Sequence, residues 1–130
     1  MSSCYFVTVD MSFRTSCRAA AVALRRLMTT SEGVDFCLDE FASCGVRTRR
    51  FDDLMRIFLA GWPDLPFVVS RAHNHARYDN RFHASYGWER VLLRMFAALA
   101  PHLKDGSSLL IDCDDGINEC VVKDGRLVPT

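Results

Sequence analysis

Three histidines in a polar and aromatic stretch are the first candidates for chemistry in this sequence. His73, His75 and His83 lie within twenty residues of one another. Side chains alternate between the two faces of a strand, so His73 and His75 share a face if the segment is extended. A turn at Tyr78-Asp79-Asn80 would place His83 opposite His75 in a hairpin. Three imidazoles on one face can hold Zn²⁺ with an open fourth position, which suits metal-dependent hydrolysis.

Arginines flank these histidines and favour a different ligand. We expect Arg71, Arg77 and Arg81 on the same face as the imidazoles, where they would repel a cation and attract an anionic partner. A second basic cluster precedes Phe51. Arginine interleaved with aromatic side chains can clamp phosphates and stack on bases. The residues of this basic and aromatic set are Arg47, Arg49, Arg50, Arg71, Arg77, Tyr78 and Arg81.

A third group of candidates is acidic and surrounds an Asp-Gly turn near the end of the chain. It consists of Asp112, Asp114, Asp115 and Glu119. The other ligands of a calcium loop are missing, so a solvated turn explains these residues better than a metal site. A clustered acidic surface can also imitate phosphate charge and bind in a basic channel of a protein partner.

The remaining nucleophiles give no catalytic signature. Six cysteines are present without a Cys-x-x-Cys pair, and we interpret them as reduced thiols that pack as small apolar side chains. Cys17 is the best placed of them, because it lies just inside a predicted helix N-terminus, but packing is its favoured role. The sequence also lacks a glycine-rich phosphate loop, a nucleophile elbow and a His-Glu-x-x-His motif. We therefore expect no catalytic residue and no cofactor.

Composition indicates one ordinary globular domain, residues 1–130. The chain has 130 residues, 49% of them apolar, and a formal net charge of zero, which gives no general attraction to nucleic acid or to anionic membranes. No apolar run is long enough to cross a bilayer, and the first residues do not resemble a secretion signal. These features predict a cytoplasmic protein without a membrane partner.

Periodicity predicts an α+β fold. A strand with alternating apolar residues covers 5–13, and helices follow Ser16 and begin again at Phe51. The middle of the chain is predicted to hold a further helix at 34–44. The hairpin of 67–85 leads into a helix with an apolar stripe from Trp88 to Leu99, and Asp-Gly turns then separate strands at 107–113, 117–122 and 126–128. The order β-α-(α-α)-β-β-α-β-β indicates an antiparallel sheet with helices packed mainly on one face.

The last third of the chain, residues 85–128, is similar to small single-domain proteins encoded by phages and mobile elements. The resemblance is carried by the helix end Phe96–Asp105, by Gly106-Ser107 and by the strands and Asp-Gly turns that follow. Anti-CRISPR inhibitors belong to this kind of protein. The resemblance implies a protein that occludes a surface of a nuclease complex, and it assigns no functional residue.

Three functions follow from these patterns. The favoured one is a non-catalytic protein-interaction module, of the inhibitor type, that binds a nucleic-acid-handling protein through a charged surface. The second is a small metal-dependent hydrolase that uses the three histidines. The third is a nucleic-acid binder that uses the arginine and aromatic set. The sequence leaves the oligomeric state open.

Overall fold

A computed structural model describes residues 2–30, 50–59, 68–85, 87–114 and 116–130. The described helices are α1 (Cys17–Thr30), α2 (Phe51–Leu59) and α3 (Trp88–Leu99), and a 3₁₀ turn, Ala100–His102, follows α3. The strands are β1 (Ser2–Ser12), β2 (Val68–Ala72), β3 (His75–Ser85), β4 (Ser108–Cys113), β5 (Gly116–Lys123) and β6 (Arg126–Pro129). The helix predicted at 34–44 lies outside the described residues.

The described strands form one antiparallel sheet in the order β2-β3-β1-β4-β5-β6. The first strand of the chain is therefore central, with β3 on one side and β4 on the other. The last three strands follow one another as a meander, as their Asp-Gly turns predict. Asp124 and Gly125 both have positive φ, which is the conformation that such a turn requires. The predicted α+β class with an antiparallel sheet is confirmed.

The two faces of the sheet differ sharply, and β1 shows the difference most clearly. Its side chains at positions 5, 7, 9 and 11 are buried, whereas those at 6, 8, 10 and 12 reach solvent. Because directly paired residues point to the same side of a sheet, the register carries this division across to the neighbouring strands. The helices cover the first face. None of the described helices covers the second face, which we call the open face.

The core lies between the covered face and the apolar sides of the three helices. In α3 the predicted stripe is confirmed, with Val91, Leu92, Met95, Phe96 and Leu99 all buried. The indole nitrogen of Trp88 donates a 2.9 Å hydrogen bond to the carbonyl oxygen of Phe58, which fixes the start of α3 against the end of α2. The helix begins after Gly87, which has a φ of 86°, and Ser85 is the last residue of β3.

The predicted turn at Tyr78-Asp79-Asn80 is wrong. Strand β3 runs through these residues without interruption, and the chain reverses at His73 and Asn74 instead. Asn74 has a φ of 57°, a left-handed conformation that asparagine adopts more readily than most residues. Tyr78 and Asn80 lie opposite Val9 and Val7 of β1 and are buried with them, so pairing along β1 outweighs the local turn propensity.

No helix in the described part of the chain is long and apolar enough to span a membrane.

Candidate functional site

The open face brings together six of the candidate residues predicted from sequence, namely His75, Arg77, Arg81, His83, Asp112 and Glu119. Strand β3 contributes the odd-numbered side chains from His75 to His83, and β1 contributes the even-numbered ones from Cys4 to Ser12. Strands β4 and β5 add Ser108, Leu110, Asp112, Ile117, Glu119 and Val121. Antiparallel sheets often expose one face to water, but such a face is normally polar throughout. This one also exposes large apolar side chains.

A row of four side chains crosses the open face at its centre. The register aligns Arg81 of β3, Phe6 of β1, Asp112 of β4 and Ile117 of β5, in that order. Phe6 is 50% exposed and Ile117 is 72% exposed. The guanidinium carbon of Arg81 lies 4.7 Å from the centre of the Phe6 ring, which is a cation–π contact. The row therefore presents apolar surface between charges of opposite sign.

Beside this row, a polar network ties β1 to β3. Asp10 accepts hydrogen bonds from His75, at 2.7 Å, and from Arg77, at 3.4 Å. The same arginine donates through Nε to Asp79 at 2.9 Å, and the Thr8 hydroxyl donates to the other oxygen of Asp79 at 2.9 Å. The hydrogen bond from Arg77 lowers the pKa of the Asp79 carboxyl below its usual value. These charges satisfy one another within the sheet.

The three histidines do not converge. His73 lies in the turn before β3, whereas His75 and His83 are eight positions apart on that one strand. At about 3.3 Å per residue, this separation is about 26 Å, far beyond the span of a single metal ion. Among the described residues, no group of three or more His, Cys, Asp or Glu side chains is arranged to hold a metal. The predicted site failed because it depended on the wrong turn.

His75 and Asp10 form a pair of the kind found in catalytic sites, since a carboxylate can orient an imidazole as a general base. Within the described part of the chain, however, His75 makes its side-chain hydrogen bond to Asp10 and forms none to a hydroxyl or thiol that it could activate. Both side chains are about one-third exposed, at 37% and 36%. The pair therefore behaves as a cross-strand contact that holds β3 against β1.

Two members of the basic and aromatic set lie on the covered side of the sheet. Tyr78 is fully buried and donates a hydrogen bond from its hydroxyl to Asp52 of α2. Arg71, at the edge of the sheet, lies 3.8 Å from Asp52 and donates to the Cys17 sulfur at 3.3 Å. Burial, with the Asp52 hydrogen bond, raises the pKa of Tyr78 well above its usual value. The prediction that Arg71, Arg77 and Arg81 share a face is therefore wrong.

This burial weakens the stacking hypothesis for nucleic acid. Phe51 and Tyr78, the aromatic side chains next to the basic clusters, are both in the core and cannot stack on bases. Arg50 is exposed immediately before α2, and Arg47 and Arg49 lie outside the described residues. Arg77 and Arg81 are on the open face, but they share it with Asp10, Asp79, Asp112 and Glu119.

The acidic candidates lie on the opposite side of the open face from these arginines. Asp112 and Glu119 are exposed on β4 and β5, and Asp114 is exposed in the turn that joins the two strands. Asp115 lies outside the described residues. The described cysteines, Cys4, Cys17, Cys113 and Cys120, are free thiols, in agreement with the sequence interpretation. On the open face, Arg77 and Arg81 thus lie on β3, where Arg77 is engaged by Asp79 and Asp10, and Asp112 and Glu119 lie on β4 and β5.

Sequence reasoning misses the residue at the centre of this surface. The alternation of the first strand assigns Phe6 and Asp10 to its polar side and not to a site. The alternation of β3 gives a usable pattern: Ala76, Tyr78, Phe82 and Ala84 are apolar at even positions, and His75, Arg77, Asp79, Arg81 and His83 are polar at odd ones. That pattern predicts one long strand, and hence an open face shared with β1.

The described residues form an α+β fold in which helices pack on one face of an antiparallel sheet and no described helix covers the other face. Comparison with known proteins found no family model, no curated protein and no solved structure that matches this chain.

Proposed function

We propose that this chain is a non-catalytic protein-interaction module that binds a protein partner through the open face. The observation that carries the proposal is the exposure of Phe6 on the central strand, with Ile117 in the same row and opposite charges beside it. Aromatic anchors surrounded by polar groups are characteristic of the energetic centres of protein interfaces. A merely solvated sheet face has no need of a half-exposed phenylalanine at its centre.

The charge division of the open face supports a directional interaction. A partner of matched charge pattern would contact Arg77 and Arg81 with acidic groups and contact Asp112 and Glu119 with basic ones. Such complementarity mainly sets the orientation and the rate of association. In the inhibitor form of the proposal, the acidic side, together with Asp114 and Asp115, occupies a basic nucleic-acid channel of the partner.

The experiment that tests the proposal is a pull-down with two matched variants. Phe6→Ser removes the exposed ring from the open face. Val22→Ser removes an apolar side chain that is 63% exposed on α1, away from the sheet. We expect a stoichiometric partner that survives nuclease treatment, is retained by Val22→Ser and is lost with Phe6→Ser. A partner retained by both variants would contradict docking through the open face.

The inhibitor form needs a separate test. Reversing charge at Asp114 and Asp115 should weaken partner binding without lowering the melting temperature. Adding nucleic acid should displace the chain from its partner if both occupy one channel. Binding that is indifferent to the reversal and to the competitor would remove this form and leave the general one.

Binding of nucleic acid itself is the outcome that would replace the proposal. It would show as capture that is abolished by nuclease and as an affinity that falls steeply with salt.

A further inference from the structure

In the central row of the open face, Phe6 lies between a positive residue on one side and a negative residue on the other. Phe6 lies on β1, and its two direct neighbours across the sheet are Arg81 on β3 and Asp112 on β4. Neighbouring strands are about 4.8 Å apart, so the backbone positions of a positive and a negative residue lie at about equal distances on the two sides of Phe6. Among the described residues, Arg81 makes a cation–π contact with the ring of Phe6 and no ion pair, and Asp112 forms no ion pair.

A two-fold axis that runs along β1 above Phe6 would exchange the two sides of this row. It places the Phe6 rings of two copies against each other and places Arg81 of each copy on Asp112 of the other. A two-fold interface uses the same patch on both subunits, so the patch must be complementary to itself. The row Arg81–Phe6–Asp112 meets this condition in its order of charges.

We propose that the open face binds a second copy of this chain, forming a two-fold dimer with two reciprocal Arg81–Asp112 pairs around a central pair of Phe6 rings. This inference rests on the proposed function, because it names the partner of the same surface. Each Arg81 then lies between the Phe6 ring of its own chain and a carboxylate of the second copy. Ile117 extends the row beyond Asp112 and adds apolar area on both sides of the dimer.

The other charge near the axis does not oppose this arrangement. Asp10 lies four residues from Phe6 on the same strand, and two copies would bring their Asp10 side chains towards each other. In each copy, however, Asp10 already accepts hydrogen bonds from His75 and Arg77, which hold its side chain against its own sheet. Sheets that pack face to face are also rotated by about 30°, which moves the two carboxylates off the axis.

The size of the face predicts how strong the dimer is. Six described strands of 4 to 11 residues, at about 3.3 Å per residue and about 4.8 Å between strands, give the open face a flat area of about 700 Å², which is below the roughly 800 Å² that each partner buries in a standard stable interface. The core of the described residues lies entirely on the covered side of the sheet, so we expect each copy to fold without the other. We therefore expect a reversible equilibrium between monomer and dimer.

Sedimentation velocity of the purified chain over a wide concentration range tests the inference. We expect the wild type to dimerise reversibly, and Arg81→Asp or Asp112→Arg to raise the dissociation constant by at least about tenfold, the equivalent of losing one strong contact. The control Arg18→Asp makes the same charge change on an exposed position of α1 and should leave the dissociation constant unchanged. Circular dichroism confirms that each variant is folded.

Mixing the two charge variants gives the decisive measurement. In a mixed dimer the introduced aspartate of one chain faces the introduced arginine of the other, and the remaining Asp112 faces the remaining Arg81. An equimolar mixture should therefore dimerise although neither variant does so alone. A monomeric wild type, a dimer insensitive to both substitutions, or a mixture that stays monomeric would each overturn the inference.

The outcome separates this inference from the proposed function. A chain that is monomeric alone, but captures a lysate protein in a manner abolished by Phe6→Ser, has an open face that binds a different partner, and only the inference of self-association fails. If instead the wild type dimerises and the mixed variants recover the dimer while lysates yield nothing, the interaction module stands with a second copy as its partner.

Discussion

The two faces of this sheet are made by the same strands and are governed by different physics. On the covered face, Tyr5 stacks on Phe82 with ring centres 5.8 Å apart, and both side chains are buried. The next residue of β1, Phe6, and the preceding residue of β3, Arg81, lie on the open face. There the guanidinium of Arg81 is placed over the Phe6 ring in a contact that solvent can reach. The first contact is held by exclusion of water. The second combines a cation–π contact with ring surface that stays accessible to a partner.

This difference separates the residues that specify the fold from those available for function. Removing water from the covered face stabilises the chain whatever partner is present. The charges of the open face contribute little to stability, because exposed ion pairs are weak and are screened by salt. Selection for binding can therefore change the open face without endangering the core.

The largest expected effect comes from a pair of identical truncations on the two faces. Phe82→Ala removes a ring that is 4% exposed and should lower the free energy of unfolding by about 3 kcal/mol or more, because it leaves a cavity beside Tyr5. Phe6→Ala removes a ring that is 50% exposed and should cost less than about 1 kcal/mol. Urea unfolding followed by circular dichroism measures both.

Both variants truncate the same residue type on two paired strands, so their losses of stability can be compared directly. Equal losses of stability would mean that Phe6 is part of the folding core and not a surface anchor. The proposed docking role would then lose its main support.

The difference between the covered face and the open face also explains how much of the structure could be predicted from the sequence. The stripe of α3, the alternation of β1 and the Asp-Gly turns are strong local patterns, and the corresponding elements are present. The central position of β1 could not be predicted, because strand order is set by which apolar faces pair over long distances. The histidine site failed for a related reason: Tyr78, which resembles a turn residue locally, pairs with Val9 in the core.

The candidate site was only partly predictable. Individual residues such as Asp112 and Arg81 stand out by their charge, but nothing local indicates that Phe6 lies between them. Conversely, Arg71 resembles the other arginines in sequence and yet holds α1 and α2 to the sheet edge through Cys17 and Asp52. A charged residue at a sheet edge can serve either face, and sequence alone does not decide which.

A smaller effect concerns the polar contact that joins the covered face to α2. Tyr78→Phe removes the hydroxyl that donates to Asp52 and should cost about 1 kcal/mol at neutral pH. Because the pKa of Tyr78 is raised in the folded chain, the unfolded chain loses this proton first as pH rises past the usual value of 10.0. The contribution of Tyr78 to stability is therefore complete below pH 10.0 and falls above it.

Unfolding of wild type and Tyr78→Phe at a series of alkaline pH values measures this dependence. Burial also raises the pKa of the Cys120 thiol, which destabilises both proteins alike as pH rises, so the difference between them isolates Tyr78. The wild type should lose stability more steeply than the variant. Parallel curves would show that the phenol is accessible to solvent and that α2 is not held to the sheet through Tyr78.

The smallest expected effect belongs to the open face. Arg77 holds the pKa of Asp79 below its usual value of 3.8, so the stabilisation from their pairing is present above that pH and is lost as pH falls through the lowered folded pKa. Arg77→Ala should therefore shift the urea midpoint slightly at neutral pH and not at all in strong acid. Both side chains are about half exposed, which keeps the shift small.

The matched control is Arg126→Ala, an exposed arginine of β6 that forms no ion pair within the described residues. It should leave the midpoint unchanged at every pH. If Arg77→Ala shifts the midpoint equally at neutral and acid pH, the arginine stabilises the sheet through packing of its aliphatic chain, and the charge network belongs to the fold. If the shift disappears in acid and with added salt, the network is an electrostatic surface feature, as an interaction face requires.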